Sequence, residues 1–352
     1  MKKTLIALTL AALPVASMAD VILYGQIKAG VEVAQTKVTV GGKTTKDHAT
    51  TEIADFGSRI GFKGSESLGS GLNAIWQVEN DISVAGGGNW AGRDSFIGLD
   101  GNFGKVRAGK LSTQLNDMDT LDPWEYSNNA LGLGVYTRTG ERVVSVRYDT
   151  PNFAGFSANV QFTPRDNQSN TGRDDAGRSD TSAYYAGLNY ENSGFFAQYG
   201  AGYSPSSYTA LSGQSKSGQV HRLEGGYDAN NLFVGVGVQY GKGWETSNDY
   251  MAALGYDAGV GADTGVETTE AAVTAAYRFG NVTPRVSYAH GWESKIAGDK
   301  VAGSKYDQVV LGADYDFTKR TTAMVSAGWL RAGKSNDKTE TTAGLVGVRH
   351  KF

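Results

Sequence analysis

Apolar and polar residues alternate along most of this chain, and this alternation limits its possible folds more than any other feature. In residues 21–34 the odd positions are apolar or glycine, whereas the even positions include Gln26, Lys28 and Glu32. Apolar rows at every second position recur in residues 232–240 and 271–279. Since successive side chains of a strand point to opposite faces, this period of two predicts an all-β chain.

Two kinds of connector separate the predicted strands, and the two kinds alternate along the chain. Short turns rich in Gly, Asn, Asp or Pro occur near residues 67–70, 101–104, 150–155, 191–194, 228–231, 280–281 and 318–320. Long polar loops occur near residues 36–51, 82–92, 112–141, 164–180, 204–218, 244–266, 294–304 and 332–341. Seven turns and eight loops predict about sixteen antiparallel strands. Short turns on one side and long loops on the other are typical of a closed transmembrane β-barrel.

Charged residues recur on the predicted inward faces of these strands. They include Lys28, Glu32, Arg59, Lys63, Glu79, Arg147, Glu224, Arg278, Arg285 and Asp314. A β-sandwich would have to bury such charges in a dry core, which is costly for unpaired groups. A barrel of about sixteen strands instead encloses an aqueous channel. The charge pattern therefore favours a water-filled barrel.

Composition agrees with this fold and excludes several classes of protein. The mean hydropathy of −0.34 excludes a helical membrane protein but leaves a barrel open, because a barrel strand faces lipid only at every second residue. Glycine is frequent, at 48 of 352 residues, and cysteine is absent, so disulfides and Cys-based metal sites are excluded. A net charge of −3 predicts no nucleic-acid partner.

The two ends of the chain predict its destination. Lys2 and Lys3 precede a short apolar run at 4–15, and Ser17 and Ala19 occupy the −3 and −1 positions of a cleavage site. We therefore predict a signal peptide over 1–19 and a barrel over 20–352. The last strand ends in Phe352, and a terminal aromatic on the lipid side fits the interfacial girdle of an outer-membrane barrel.

The longest loop, 112–141, is rich in acids and is predicted to fold into the lumen as a constriction. Its acids include Asp117, Asp119, Asp122 and Glu125, and the wall offers the bases Lys28, Arg59, Lys63, Arg107, Lys110 and Arg147, with Arg142 as a further candidate. Opposed charge rows would create a transverse field across the pore. A solvated surface loop would explain the acids equally well. The Asp-x-Asp at 117–119 is too short a motif to predict a metal site, and no cofactor is expected.

Several stretches of the mature chain resemble the Gram-negative trimeric porins, most closely the neisserial type. They include DVILYG at 20–25, SRIGFKG at 58–64, AIWQVE at 74–79, AYRFGNVTPRVSYAHG at 276–291 and VRHKF at 348–352. The resemblance implies a sixteen-stranded homotrimer with an inward third loop, through which ions and small hydrophilic solutes diffuse passively. Residues 121–124, Leu-Asp-Pro-Trp, stand where the family has its acidic third-loop stretch. The sequence departs from the family at 132–138 and in the other long loops, which leaves the ion preference open.

A general diffusion porin is thus the predicted function, located in the outer membrane. The expected partners are further copies of the chain, outer-membrane lipid and lipopolysaccharide, and the barrel-assembly machinery. An enzyme is not expected, because no nucleophile elbow, zinc-binding His pair or phosphate loop occurs and neither His48 nor His350 has an evident partner. A solute-specific channel and a loop-mediated adhesin remain open alternatives.

Overall fold

The computed structural model describes residues 21–86, 91–124, 128–164, 182–210, 212–256 and 264–352. The predicted signal peptide and Glu125 lie outside these residues. No helix among the described residues is long and apolar enough to cross a membrane.

Twenty strands form one sheet. They are β1 (Ile22–Val40), β2 (Lys43–Lys46), β3 (Thr50–Asp55), β4 (Arg59–Gly69), β5 (Leu72–Asp81), β6 (Ser95–Gly101), β7 (Gly104–Ser112), β8 (Arg142–Asp149), β9 (Phe156–Thr163), β10 (Ala183–Asn192), β11 (Phe195–Thr209), β12 (Ser215–Ala229), β13 (Leu232–Thr246), β14 (Gly265–Tyr277), β15 (Val282–Gly291), β16 (Lys295–Ile296), β17 (Asp299–Lys300), β18 (Tyr306–Asp316), β19 (Thr321–Gly333) and β20 (Lys338–Lys351). The short helices are α1 (Gln114–Asp117), a 3-10 turn (Asn129–Leu131), α2 (Gly134–Thr137) and α3 (Ser247–Ala253).

The sheet closes into a barrel, because β1 pairs with the last strand, β20, along one edge and with β2, β3 and β4 along the other. One edge of β1 runs antiparallel to β20, from Gln26 opposite Lys351 to Thr39 opposite Lys338. Its other edge pairs in turn with β4, β3 and β2, which together fill one position of the barrel. The hairpin of β16 and β17 lies within a loop. Sixteen strand positions therefore form a closed antiparallel barrel, as the sequence predicts.

The two faces of the sheet differ as the alternation predicts. The outer face exposes large apolar side chains, such as Ile97 at 69% and Val346 at 64%. The neighbouring inward residue Leu345 is only 3% exposed. An apolar outer belt suits lipid, and full pairing around the barrel leaves no strand edge unsatisfied in it.

Within the described residues the predicted turns and loops alternate as expected, but several predicted loops are partly strand, as at 36–51, where β1 continues to Val40 and pairs with β2. The loop predicted at 204–218 spans only 210–214, and the one at 332–341 spans only 334–337, because β11, β12, β19 and β20 extend well beyond the predicted strand ends. Ser, Thr and Gly in these extensions resemble loop composition, yet β19 and β20 pair in unbroken register and β11 and β12 pair with one irregularity between Ser204 and Tyr208. The turn between β12 and β13 is tight, with positive φ at both Asn230 and Asn231, as a hairpin of this length favours.

Candidate pore constriction

The described residues of the segment 113–141, which are 113–124 and 128–141, fold into the barrel, and we call them the inner loop. Thr113 starts α1, and its side chain accepts a hydrogen bond from the Asn116 amide. The loop buries an apolar surface that comprises Leu115, Met118, Leu121, Trp124, Leu131, Leu133, Val135 and Tyr136. This surface packs on the lumen faces of β10–β15 and β18–β20, which we call the covered wall. The apolar surface also reaches Val143 of β8, and the lumen faces of β4–β7 form the bare wall.

Glycines at inward positions let the inner loop approach the covered wall. A methyl group at Gly200 would lie 2.8 Å from the Met118 sulfur, and one at Gly312 would lie 2.8 Å from the Trp124 ring. At Gly328 it would overlap the Ala130 carbonyl oxygen. Since packed interiors have no space for an added methyl group, these positions require glycine for close approach.

Arg222 of β12 extends from the covered wall and attaches the inner loop to it. Its side chain is fully buried, and its guanidinium donates to the Leu115 carbonyl at 3.0 Å, to the Met118 carbonyl at 3.2 Å and to the Tyr136 carbonyl at 3.2 Å. It also donates to the Thr139 hydroxyl at 2.8 Å. One buried cation therefore donates hydrogen bonds to carbonyls near both ends of the inner loop. Without it, these buried carbonyls would need water as their donor.

A second arginine reaches in the opposite direction, from the loop to the wall. Arg138 donates to Glu270 at 2.6 Å and to Glu245 at 2.9 Å, and its guanidinium lies 4.8 Å from the ring centre of Tyr250 in α3. Burial works to lower the pKa of Arg138, but the two carboxylates raise it well above its ordinary value. Arg138 is therefore a permanent cation that ties the inner loop to the wall and to α3.

The residues around 121–124 complete the attachment. The Trp124 indole donates to the Ser287 hydroxyl at 2.8 Å, and the guanidinium of Arg285 lies 4.6 Å from the Trp124 ring centre. The Asp122 carboxylate accepts from the Leu133 amide at 3.0 Å. Asp122 therefore stabilises the fold of the inner loop itself, and its predicted role in the constriction stays a prediction.

Among the predicted loop acids that the structure describes, Asp117 and Asp119 are exposed, whereas Asp122 is half-buried. Asp117 accepts from Arg147 at 2.6 Å, so this acid and this wall base form a direct pair. Asp119 lies within electrostatic range of Arg59, Arg142 and Arg93. The protein that surrounds Asp119 within the barrel partly desolvates its carboxylate and raises its pKa, although the side chain is exposed, while those three cations oppose the rise. Asp119 thus faces positive charge near the bare wall.

The predicted wall bases occupy different environments. Lys28 is buried, Arg59 is partly exposed and lies 4.0 Å from Glu79, and the Lys63 ammonium lies 5.1 Å from the ring centre of Tyr24. Arg107 binds Asp149 at 2.8 Å.

Two results change the predicted set of wall bases. Lys110 pairs with Ser95 and is three residues from Arg107, so it lies on the opposite face of β7 and its prediction as a lumen residue is corrected. Arg93 was missed, and it binds Asp81 at 3.1 Å and also contacts Glu79. Its neighbours in sequence give no strand alternation, so no signal marked it.

The end of the chain lies where the barrel closes. Gly25 and Phe352 exchange two backbone hydrogen bonds of 3.1 Å, and the Phe352 ring covers Gly25. Phe352 is 42% exposed on the outer face. Its predicted role in assembly stays a prediction.

This architecture can be compared with known proteins. A sequence profile described as Gram-negative porin matches residues 28–352. The chain belongs to the Gram-negative porin family. The major outer membrane protein P.IB of Neisseria sicca is 55% identical over the full length of both chains.

Solved structures of porins have the same fold at lower sequence identity. The anion-selective porin from Comamonas acidovorans aligns with a TM-score of 0.69 at 22% identity, covering 95% of this porin and 100% of that chain. OmpT of Vibrio cholerae, described in its trimer form, aligns with a TM-score of 0.64 at 14% identity, covering 95% of this porin and 99% of that chain. The porin is thus a diffusion channel of the outer membrane, with a lumen narrowed by the inner loop.

Proposed function

We propose that the opening between the inner loop and the bare wall is the constriction that sorts solutes in this porin. The observation that carries the proposal is that Asp119 is exposed in the lumen and lies within electrostatic range of Arg59, Arg93 and Arg142. Ions and small hydrophilic solutes pass this opening passively, and no bond is made or broken. The protein is accordingly a general diffusion channel and not an enzyme.

The charges at the constriction favour a weak preference for anions. Asp117 is neutralised locally by its pair with Arg147, which leaves Asp119 as the exposed acid of the described part of the loop. Arg59 and Lys63 are partly or fully exposed, and neither has an ion pair closer than 4.0 Å among the described residues. Cations and acid on opposite sides produce a transverse field, and the excess of cations raises the local concentration of anions.

We further propose that the porin assembles as a homotrimer in contact with outer-membrane lipid and lipopolysaccharide. The wide apolar outer belt can serve lipid and subunit contacts alike, and the resemblance to trimeric porins supports the trimer. Phe352, at the end of the last strand, is the residue we propose for recognition by the barrel-assembly machinery. Light scattering of the refolded protein in detergent gives the mass of the assembly directly, and a monomer would contradict the trimer.

Single-channel recording of the refolded protein in a planar bilayer tests the function. We expect large open steps in KCl and a reversal potential under a salt gradient that corresponds to a weak anion preference. The Asp119→Asn variant should strengthen that preference, whereas Asp47→Asn, which removes a charge from an outer loop, should not. Small steps blocked by one particular solute would favour a solute-specific channel, and an absence of steps would favour an adhesin.

A further inference from the structure

A second cluster of cations lies at the turn side of the barrel, far along the chain from the inner loop. A pocket of about 440 Å³ lies between the β14–β15 turn, the β18–β19 turn and the end of β20. Its charged lining residues are Arg278, Asp316, Lys319, Arg320, Arg349 and Lys351. We call this the exit pocket, because the short turns of an outer-membrane barrel lie on its periplasmic side. Five cations and one carboxylate give it a positive potential.

The carboxylates at this pocket are already engaged. Asp316 accepts from Arg278 at 3.0 Å and from the Thr322 hydroxyl at 2.7 Å. Asp314, just behind it, accepts from Arg285 at 2.7 Å and lies 3.9 Å from Arg349. These contacts balance two of the cations and hold the floor of the pocket in place.

Three cations at the rim of the exit pocket have no carboxylate partner among the described residues, and backbone hydrogen bonds hold them near one another. No carboxylate of the described residues lies within 4.0 Å of Lys319, Arg320 or Lys351. The Thr318 hydroxyl accepts from the Arg320 amide at 3.1 Å, which fixes the turn. The Lys351 amide donates to the Arg320 carbonyl at 2.8 Å, so the end of β20 is joined to that turn. The rim is therefore a pre-arranged set of donors without an internal counter-charge.

We infer that the exit pocket binds small solutes that carry two or more carboxylate or phosphate groups. Arginine offers paired donors that suit such groups, and lysine offers a mobile point charge. A multivalent anion can engage several rim cations at once, whereas a chloride ion can engage only part of the set. The exit pocket would thus hold multivalent anions at the periplasmic mouth, apart from the sorting at the constriction.

This inference rests on the proposed function only because a conducting pore reports the binding. The test is the block of single-channel current by citrate, added first to one chamber and then to the other, in dilute KCl where surface charges are weakly screened. Orientation can be read from a Thr45→Cys variant and a thiol reagent that cannot cross the pore, since the chain has no cysteine of its own. The KCl conductance before citrate is added tests the proposed function separately.

We expect citrate to block from the turn side at concentrations about tenfold lower than from the loop side. A tenfold difference in affinity is what several weak surface ion pairs contribute together. The triple variant Lys319→Gln/Arg320→Gln/Lys351→Gln should remove this difference. The control variant Lys46→Gln/Lys216→Gln/Lys300→Gln removes the same charge from the loop side and should keep it. Equal block from both sides in the unmodified porin, or a turn-side block that survives the triple variant, would overturn the inference.

Discussion

The covered wall and the bare wall belong to one barrel and follow the same alternation, yet their inward positions hold different residues. On the covered wall these positions are glycine or polar groups bonded to the inner loop, such as Gly200, Gly328 and Arg222. On the bare wall they include partly exposed charges, such as Arg59 and Lys63. Alternation therefore specifies the barrel, whereas the size of the inward residues specifies which side the loop fills.

The two walls should respond differently to substitution. The covered wall is packed like the core of a soluble protein, where lost contacts and added volume both destabilise. The bare wall is solvated, so its side chains should affect which solutes pass more than whether the barrel folds.

The largest effect is expected from Arg222→Ala, which removes the buried cation beneath the inner loop. Carbonyls of Leu115, Met118 and Tyr136 would lose their donor, and Glu224, 4.0 Å away, would lose its nearest positive charge. Breaking a buried pair in this way costs about 3–5 kcal/mol. We expect a lower free energy of unfolding in urea and noisy, enlarged channel openings.

The matched control for this change is Arg59→Ala on the bare wall. It should alter the free energy of unfolding by no more than about 0.5 kcal/mol. Equal destabilisation by both variants would remove the distinction between the two walls.

Arg222 also illustrates what the sequence could and could not predict. Alternation placed the strands and the inward direction of Arg222's neighbour Glu224, because both depend on local periodicity alone. The partners of Arg222 in the inner loop are more than eighty residues away, in an irregular segment for which the sequence carries no period. A row of inward glycines on β10–β19 was the one available signal of where the loop packs.

The predicted constriction residues show the same division between what strand periodicity predicts and what the packing of the inner loop decides. The inward direction of Arg107 follows from its strand, and the same count places Lys110 on the other face, so that error was avoidable. The pairing of Asp117 with Arg147 and the internal role of Asp122 depend on how the inner loop folds. Those contacts are set by packing against a wall that is formed by distant parts of the chain.

A smaller loss of stability is expected from Gly328→Ala. The added methyl group would overlap the Ala130 carbonyl oxygen and displace the 3-10 turn of the inner loop. Overpacking of this kind costs about 1–3 kcal/mol. The temperature at which the folded band disappears on a detergent gel should fall, and the conductance should change with it.

Gly344→Ala is the control for this substitution. Gly344 lies on the neighbouring strand but on the outer face, where the nearest atom to an added methyl group is the Ser326 carbonyl oxygen at 3.7 Å. It should leave both the gel transition and the conductance near those of the unmodified porin. A gel transition lowered as much as that of Gly328→Ala would contradict close packing as the cause.

On the bare wall, Arg59→Gln combined with Lys63→Gln should change selectivity with little effect on stability. Removing these two partly or fully exposed cations of the bare wall weakens the attraction for anions, so the reversal potential should move toward cation preference. Lys110→Gln removes one cation from the outer face of β7 and should leave the reversal potential unchanged. A shift caused by Lys110→Gln would place that side chain in the pore after all.

The smallest effect is expected from pH, and it tests the acid side of the constriction. Burial raises the pKa of both Asp117 and Asp119, against the opposing charge of nearby arginines. As the pH falls, these two acids should therefore lose their charge before an ordinary aspartate does, and the constriction becomes more positive. The reversal potential should then move toward stronger anion preference as the pH is lowered. This shift should shrink in Asp119→Asn and persist in Asp47→Asn, whereas an unaltered titration in Asp119→Asn would assign it to other carboxylates of the lumen.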